Sequence, residues 1–161
     1  MKTQILVEGP DCSGKTTLVE RLKNELRWDA KALHHLNGNQ FNRYLKEYAL
    51  QEKIIFNRGH YSEIAYGKLW RAGNPFSAEE QQILDKICQQ NMVIIFACPP
   101  LEVLQHRYRK RNFQQQIKYE ELELVRNNFC EFMESVPHLL YQSASYDELQ
   151  SLVTNVAGKI K

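Results

Sequence analysis

Eight consecutive residues near the start of the chain have the types and spacing of a phosphate-binding loop. They run Gly9-Pro10-Asp11-Cys12-Ser13-Gly14-Lys15-Thr16 and fit the pattern G-x-x-x-x-G-K-[ST] at every fixed position. Glycines let such a loop wrap closely around phosphate oxygens, while the backbone amides and the following helix N-terminus present partial positive charge. Lys15 can bridge phosphates, and Thr16 can ligate Mg²⁺. The segment therefore predicts a nucleotide-binding site.

The residues on either side of the loop supply the structural context that the motif requires. Gln4–Val7 is a short apolar run typical of a buried strand. After the loop, Leu18, Leu22 and Leu26 recur at helical spacing and would lie on one face of a helix. The order strand, loop, helix favours a phosphate loop over a glycine-rich turn.

A basic segment is the second candidate for chemistry. His106-Arg107-Tyr108-Arg109-Lys110-Arg111 follows an apolar run, Met92–Ala97, and the breaker Cys98-Pro99-Pro100. A cluster of this kind is most often a solvated helix face. Here it lies just beyond a predicted central strand of a phosphate-loop protein, where cations stabilise the charge on transferred phosphoryl oxygens. We favour that functional interpretation.

Composition narrows the class of ligand. The 161 residues carry a formal net charge of +2, which is too small to indicate a nucleic-acid partner and favours a small molecule. The four cysteines have no C-x-x-C spacing, so we expect reduced thiols in a cytoplasmic protein. We expect one domain over residues 1–161, without a signal peptide or a membrane span.

The rest of the chain alternates predicted strands with predicted helices. Strands are expected at Leu33–Leu36 (followed by a turn at Asn37-Gly38), Lys53–Asn57, Met92–Ala97 and Leu139–Tyr141. Helices are expected from Gln40, from Glu63 to about Arg71 with Ser62 as its cap, from a capping box at Ser77–Glu80 to about Asn91, after Pro100, from Tyr119 to Val136, and from Asp147. This alternation predicts an α/β fold, a parallel sheet between helices.

Three segments together resemble the thymidylate kinase family. Glu8–Thr17 is similar to its loop E-G-x-D-G-S-G-K-[ST]-T, and Asn57–Tyr66 to its signature D-R-[YFH]-x-x-S-x-x-A-Y. Ile94–Arg111 resembles the family's strand, P-P-x-x-x-L-x-R helix and lid. The resemblance covers most of the chain, and its motifs are specific to nucleoside and nucleotide kinases as a group.

The resemblance implies a P-loop kinase that transfers the γ-phosphoryl group of ATP to an acceptor nucleotide, on a five-stranded parallel sheet with helices on both faces. It also implies a lid at about residues 107–117 and a homodimer. The implied donor contacts are Gly9, Asp11, Cys12, Ser13, Gly14, Lys15, Thr16 and Thr17, and Thr16 holds Mg²⁺. The implied acceptor contacts are Arg58, Ser62 and Tyr66. We add Phe41 at the entry to its helix as a border of the pocket.

The chain departs from the family pattern at three places. Asn57 replaces the aspartate near the metal, and we hypothesise that Asp11 compensates as a Mg²⁺ ligand. Cys12 occupies a position where some relatives carry a catalytic arginine, so the expected cationic stabilisation moves to the lid residues Arg107, Arg109 and Arg111. The segment Leu36–Asn39 stands in place of the family's R-E-P-G, which leaves thymidylate as a default acceptor only.

Two alternatives remain open at this stage. A hydroxyl acceptor, either a deoxynucleoside or a hydroxymethylated base in DNA, would need a carboxylate base such as Glu8 or Asp11. A nucleotide sensor without turnover is hinted at only by Asn57. The thiol of Cys12, among amides at a helix N-terminus, suggests a lowered pKa and a redox switch. We prefer to interpret Cys12 as a small tolerated residue.

Overall fold

The apolar segment before the phosphate loop forms the central strand of a parallel sheet. The computed structural model describes residues 2–49, 52–111 and 117–160, and within them the sheet has five strands in the order β2-β3-β1-β4-β5, all parallel. The strands are β1 (Gln4–Glu8), β2 (Asp29–Ala32), β3 (Ile54–Asn57), β4 (Met92–Ala97) and β5 (Leu139–Tyr141). Because β1 is buried along its whole length between β3 and β4, it requires the continuous apolar run seen in the sequence.

Helices cover both faces of this sheet. They are α1 (Lys15–Leu26), α2 (Gln40–Ala49), α3 (His60–Trp70), α4 (Ala78–Asn91), α5 (Leu101–Lys110), α6 (Leu122–Met133) and α7 (Tyr146–Lys159), with a 3₁₀ turn at Tyr119–Glu121 before α6. One apolar cluster joins the sheet to α2, α3, α4 and α6, and another joins it to α1 and α7. The predicted three-layer α/β arrangement is confirmed. Every helix in the described ranges is too short or too polar to cross a bilayer.

The strand predicted at Leu33–Leu36 is wrong. The strand β2 lies at Asp29–Ala32, and Leu33–Leu36 belongs to the loop that follows it. Since β2 is an edge strand with mostly exposed side chains, its sequence carries no apolar signal. Leu33 is apolar because its side chain is buried beneath that loop, and its N–H donates to the Asn57 carbonyl at 3.1 Å.

The predicted helix boundaries needed correction at three places. Helix α3 begins at His60 with Gly59 at the N-cap position, so Ser62 is not a cap but lies in the first turn. The helix predicted over Tyr119–Val136 is a 3₁₀ turn followed by α6, and the last helix starts one residue before Asp147. The capping box at Ser77–Glu80 is confirmed, because both of its reciprocal hydrogen bonds are present.

Candidate active site

The phosphate loop joins the carboxyl end of β1 to the N-terminus of α1. Gly9 and Gly14 adopt positive φ angles of 141° and 89°, which favour glycine. A Cβ atom on Gly9 would lie 2.1 Å from the Ala97 carbonyl oxygen, so a side chain cannot be accommodated there. Because no side chain projects at these two positions, the backbone amides of the loop can approach a phosphate closely.

The Lys15 ammonium group lies inside the loop. Its Nζ donates to the carbonyl oxygens of Gly9 at 2.7 Å and Pro10 at 2.5 Å, and to Ser13 Oγ at 3.3 Å. Burial, reinforced by the nearby Arg58 charge, lowers the pKa of Lys15 to about 7. Because its present partners are neutral oxygens, a bound polyphosphate would give this ammonium a stronger, charged partner.

The residues near the start of α1 fit a nucleotide-bound Mg²⁺ ion. Thr16 and Thr17 are exposed in the first turn. The Asn57 Oδ1 atom at the end of β3 is buried and has no hydrogen-bond partner in the described part of the chain. No group of three or more His, Cys, Asp or Glu in those same ranges could hold a metal by itself. Mg²⁺ would therefore rely mainly on phosphate oxygens and water, as this ion usually does in kinases.

An ion pair connects the phosphate loop to the end of β3. Arg58 donates to Asp11 Oδ1 at 2.5 Å, and its guanidinium carbon lies 5.1 Å from the centre of the Tyr66 ring. The Asp11 N–H donates to the Tyr66 hydroxyl at 3.0 Å. Burial alone would raise the pKa of the Asp11 carboxyl, but the Arg58 and Lys15 charges lower it below its usual value. The ionised carboxylate thus fixes the orientation of Arg58.

A buried carboxylate aligns the other elements of the site. Glu8 is fully buried at the end of β1 and accepts hydrogen bonds from Gly59 N at 2.7 Å, Ser62 N at 3.2 Å and Ser62 Oγ at 2.5 Å. Burial raises the pKa of Glu8. The N-terminus of α3 also packs tightly against α2, because a Cβ atom on Gly59 would lie 2.6 Å from the Tyr48 hydroxyl. Sequence reasoning had considered Glu8 only as a possible base.

A cavity of about 360 Å³ opens between the phosphate loop, the loop after β2 and α3. It is lined by Asp11, Leu33, His34, His35, Arg58, Ser62, Glu63, Tyr66, Trp70 and Arg71. The structure thus brings together Arg58, Ser62 and Tyr66, which the family resemblance implied as acceptor contacts. Phe41 packs instead against the apolar cluster under α2 and does not line this cavity.

Sequence reasoning missed several lining residues, above all the pair His35 and Glu63. It placed His35 in a strand, where two adjacent histidines would face opposite sides. A usable signal was available for Glu63 only, because the first turn of α3 follows the carboxyl end of β3, a parallel strand that the sequence predicts. Ligands of open α/β sheets bind at that edge.

The basic segment reaches the phosphate loop through Arg107. Its guanidinium donates to the Cys12 carbonyl at 3.2 Å and to the Ser143 carbonyl and hydroxyl at 3.0 and 2.8 Å. Arg109 lies over the Tyr119 ring, at 4.9 Å from its centre. Of the expected lid at about 107–117, residues 112–116 lie outside the described part of the chain.

The expected lowered pKa of Cys12 is wrong. The side chain is 3 % exposed, and burial raises the pKa of its thiol although the Arg111 charge opposes that effect. Burial and a raised pKa both disfavour the redox switch and favour our interpretation of Cys12 as a small tolerated residue. All four cysteines are free thiols in the structure.

The parallel sheet, the loop between β1 and α1, and the strand order define the fold of P-loop kinases. Over almost its whole length the chain superimposes on YorR of Bacillus subtilis, whose structure holds phosphorylated GDP, with a TM-score of 0.84 and 18% identity, covering 98% of this chain and 97% of that one. It is also similar to deoxyadenosine kinase from M. mycoides with dCMP and dCDP (TM-score 0.66, 16% identity, 98% and 100% covered). For shikimate kinase from Bacteroides thetaiotaomicron the TM-score is 0.62 at 16% identity, and the match covers 98% of this chain and 97% of that one.

Sequence comparison adds no closer relative. No protein-family model matches the chain, and no curated protein matches it in sequence. At identities of 16–18%, the structural likeness establishes the fold and leaves the acceptor to be argued from the site itself.

The buried ammonium gives a first testable prediction. At about pH 8 a lysine whose pKa is about 7 is largely neutral, and phosphate oxygens would restore its charge, so nucleotide binding should take up a proton. Titration calorimetry of a non-hydrolysable ATP analogue with Mg²⁺, in buffers of different ionisation enthalpy, measures this uptake. The Lys15→Arg variant is the control, since arginine stays charged. Equal uptake by both proteins would refute the assignment to Lys15.

Proposed function

We propose that this chain is an ATP-dependent kinase that phosphorylates a deoxynucleoside monophosphate, with thymidylate as the default acceptor. An acceptor phosphate oxygen would attack the γ-phosphorus of ATP, the bond to the bridging oxygen would break, and ADP and a nucleoside diphosphate would leave. The observation that supports this most directly is Arg58, which lines the cavity beside the phosphate loop and is fixed there by Asp11.

The arrangement suits the transfer of a phosphoryl group between two anions. Such catalysis depends mainly on alignment and on neutralising charge. Lys15 and Arg107 lie on the loop side, where the donor phosphates would bind, and Arg58 lies on the cavity side. Mg²⁺, when bound with the nucleotide near Thr16, would neutralise the β- and γ-phosphate oxygens.

The geometry gives less support to a hydroxyl acceptor. Both carboxylates that the sequence offered as a base are already engaged: Glu8 is fully buried and accepts three hydrogen bonds, and Asp11 pairs with Arg58. An acceptor phosphate is largely ionised near neutral pH and needs no base. A sensor without turnover is disfavoured because the loop lysine and Arg58 are both retained and in contact with the site.

A substrate panel tests the proposal. ATP and Mg²⁺ are incubated with each nucleoside monophosphate, each nucleoside and a hydroxymethylated DNA, and products are identified by mass. We expect a diphosphate from at least one deoxynucleoside monophosphate. A product from nucleosides or DNA only would contradict the proposal, and ATP hydrolysis without a phosphorylated acceptor would favour the sensor.

Arg107 should matter for the chemical step. Its guanidinium bonds to the loop carbonyl of Cys12, within reach of the phosphates that the loop would hold. Arg107→Ala should lower kcat by at least ~100-fold, in line with the loss of one electrostatic contact in the transition state. Arg21→Ala, an arginine on the far part of α1 that bonds to Gln150, is the matched control. Comparable kcat values for the two variants would refute the role.

Asp11 can be tested separately as a metal ligand and as the anchor of Arg58. The ion pair predicts that Asp11→Asn raises the acceptor KM about tenfold, since a charge-assisted hydrogen bond is lost. It also predicts that the Mg²⁺ dependence of turnover stays unchanged. Steady-state kinetics over a Mg²⁺ series measures both. A shifted Mg²⁺ dependence at an unchanged acceptor KM would instead support the metal role suggested by the sequence.

A further inference from the structure

A histidine and a glutamate form a second pair in the cavity. His35 Nδ1 lies 2.7 Å from Glu63 Oε2, and both residues line the cavity that the proposed function assigns to the acceptor. The His35 side chain is 38% exposed, whereas that of Glu63 is 3% exposed. The imidazole of His35 therefore faces the cavity, while the buried carboxylate of Glu63 contacts its Nδ1 atom.

Glu63 is held in place by further donors. The Tyr44 hydroxyl donates to Oε1 at 3.2 Å, and Arg71 donates to Oε2 at 3.1 Å and to the Glu63 carbonyl at 3.3 Å. A carboxylate fixed in this way orients the imidazole that it contacts. Because Nδ1 is committed to Glu63, Nε2 is the ring nitrogen available to a ligand.

The charges around the cavity show what His35 can add. Arg58 is paired with Asp11 and Arg71 with Glu63, so the charges of these two ion pairs cancel. A monophosphate acceptor brings nearly two negative charges at neutral pH. Among the lining residues, the imidazoles of His34 and His35 can supply extra positive charge when protonated, and His35 is the one that a buried carboxylate orients.

We propose that His35, protonated and oriented by Glu63, binds the phosphate of the acceptor nucleotide. This inference rests on the proposed function and goes beyond it. It names the residue that supplies positive charge to the acceptor phosphate, since the two arginine–carboxylate pairs carry no net charge. Arg58 and His35 would contact the same phosphate group, from β3 and from the loop after β2.

Other titrating groups must be separated from His35. Several charged and titratable groups face this part of the site. They are Glu63, Tyr66 and Arg71 of α3 and its C-terminal end, Tyr44 on α2, Arg58 after β3, His34, and Asp11 and Lys15 of the phosphate loop. The acceptor phosphate also titrates. All of these are shared by the wild type and a His35 variant, so the difference between their pH profiles isolates His35.

The experiment measures acceptor KM and kcat between about pH 6 and pH 9, where histidine charge changes. The acceptor is the monophosphate found active in the substrate panel. We expect His35→Gln to raise KM about tenfold to hundredfold at the acidic end, as for a lost hydrogen bond to a charged group, with a smaller effect on kcat. The difference in KM between His35→Gln and the wild type should shrink as pH rises, because a neutral imidazole supplies no charge. His35→Arg should keep the low KM at all pH values, and His138→Gln, at an exposed position just before β5 and outside the cavity lining, is the matched control.

The outcomes separate this inference from the proposed function. If the wild type phosphorylates monophosphates while His35→Gln has the wild-type KM throughout, the role of His35 is refuted and the proposed function stands. If His35→Arg is as impaired as His35→Gln, charge is not what His35 contributes, and the inference also fails. Phosphorylation of nucleosides only would overturn both proposals together.

Discussion

The site depends on one buried carboxylate, Glu8, at the end of the central strand. A carboxyl group in the core is costly unless hydrogen bonds satisfy it, and Glu8 receives three from Gly59 and Ser62 at the N-terminus of α3. The same residue is joined covalently to the phosphate loop through Gly9. A single side chain therefore fixes the spacing between the loop that would hold the donor and the helix that lines the acceptor cavity.

The two halves of the site carry different electrostatic arrangements. On the loop side, Lys15 and Arg107 are bonded to neutral carbonyl and hydroxyl oxygens, so a bound polyphosphate would give both side chains an anionic partner. On the cavity side, Arg58 and Arg71 are each fixed by a carboxylate. Pairing reduces the net charge but holds the guanidinium groups in position, and preorganisation of this kind is what phosphoryl transfer needs most.

For the three inner strands, the success of sequence reasoning followed burial. β1, β3 and β4 were predicted because strands covered on both faces must be apolar throughout, and the capping box at Ser77 was predicted because it is a local contact. The position of the edge strand β2 was predicted wrongly, because nothing in its exposed side chains distinguishes it from a loop. Ser62 was misjudged because its hydroxyl serves a residue 54 positions away instead of its own helix.

The sequence by itself determined the phosphate loop, the Arg58 signature and the α/β alternation, because each is encoded in local spacing. Only the tertiary structure decided how the acceptor cavity is built. His35 and Glu63 are 28 residues apart and meet because β2 pairs with β3, which places the loop after β2 beside the first turn of α3. Strand pairing of this kind depends on the whole sheet, and the partner of a side chain across it is not written in the spacing of either segment.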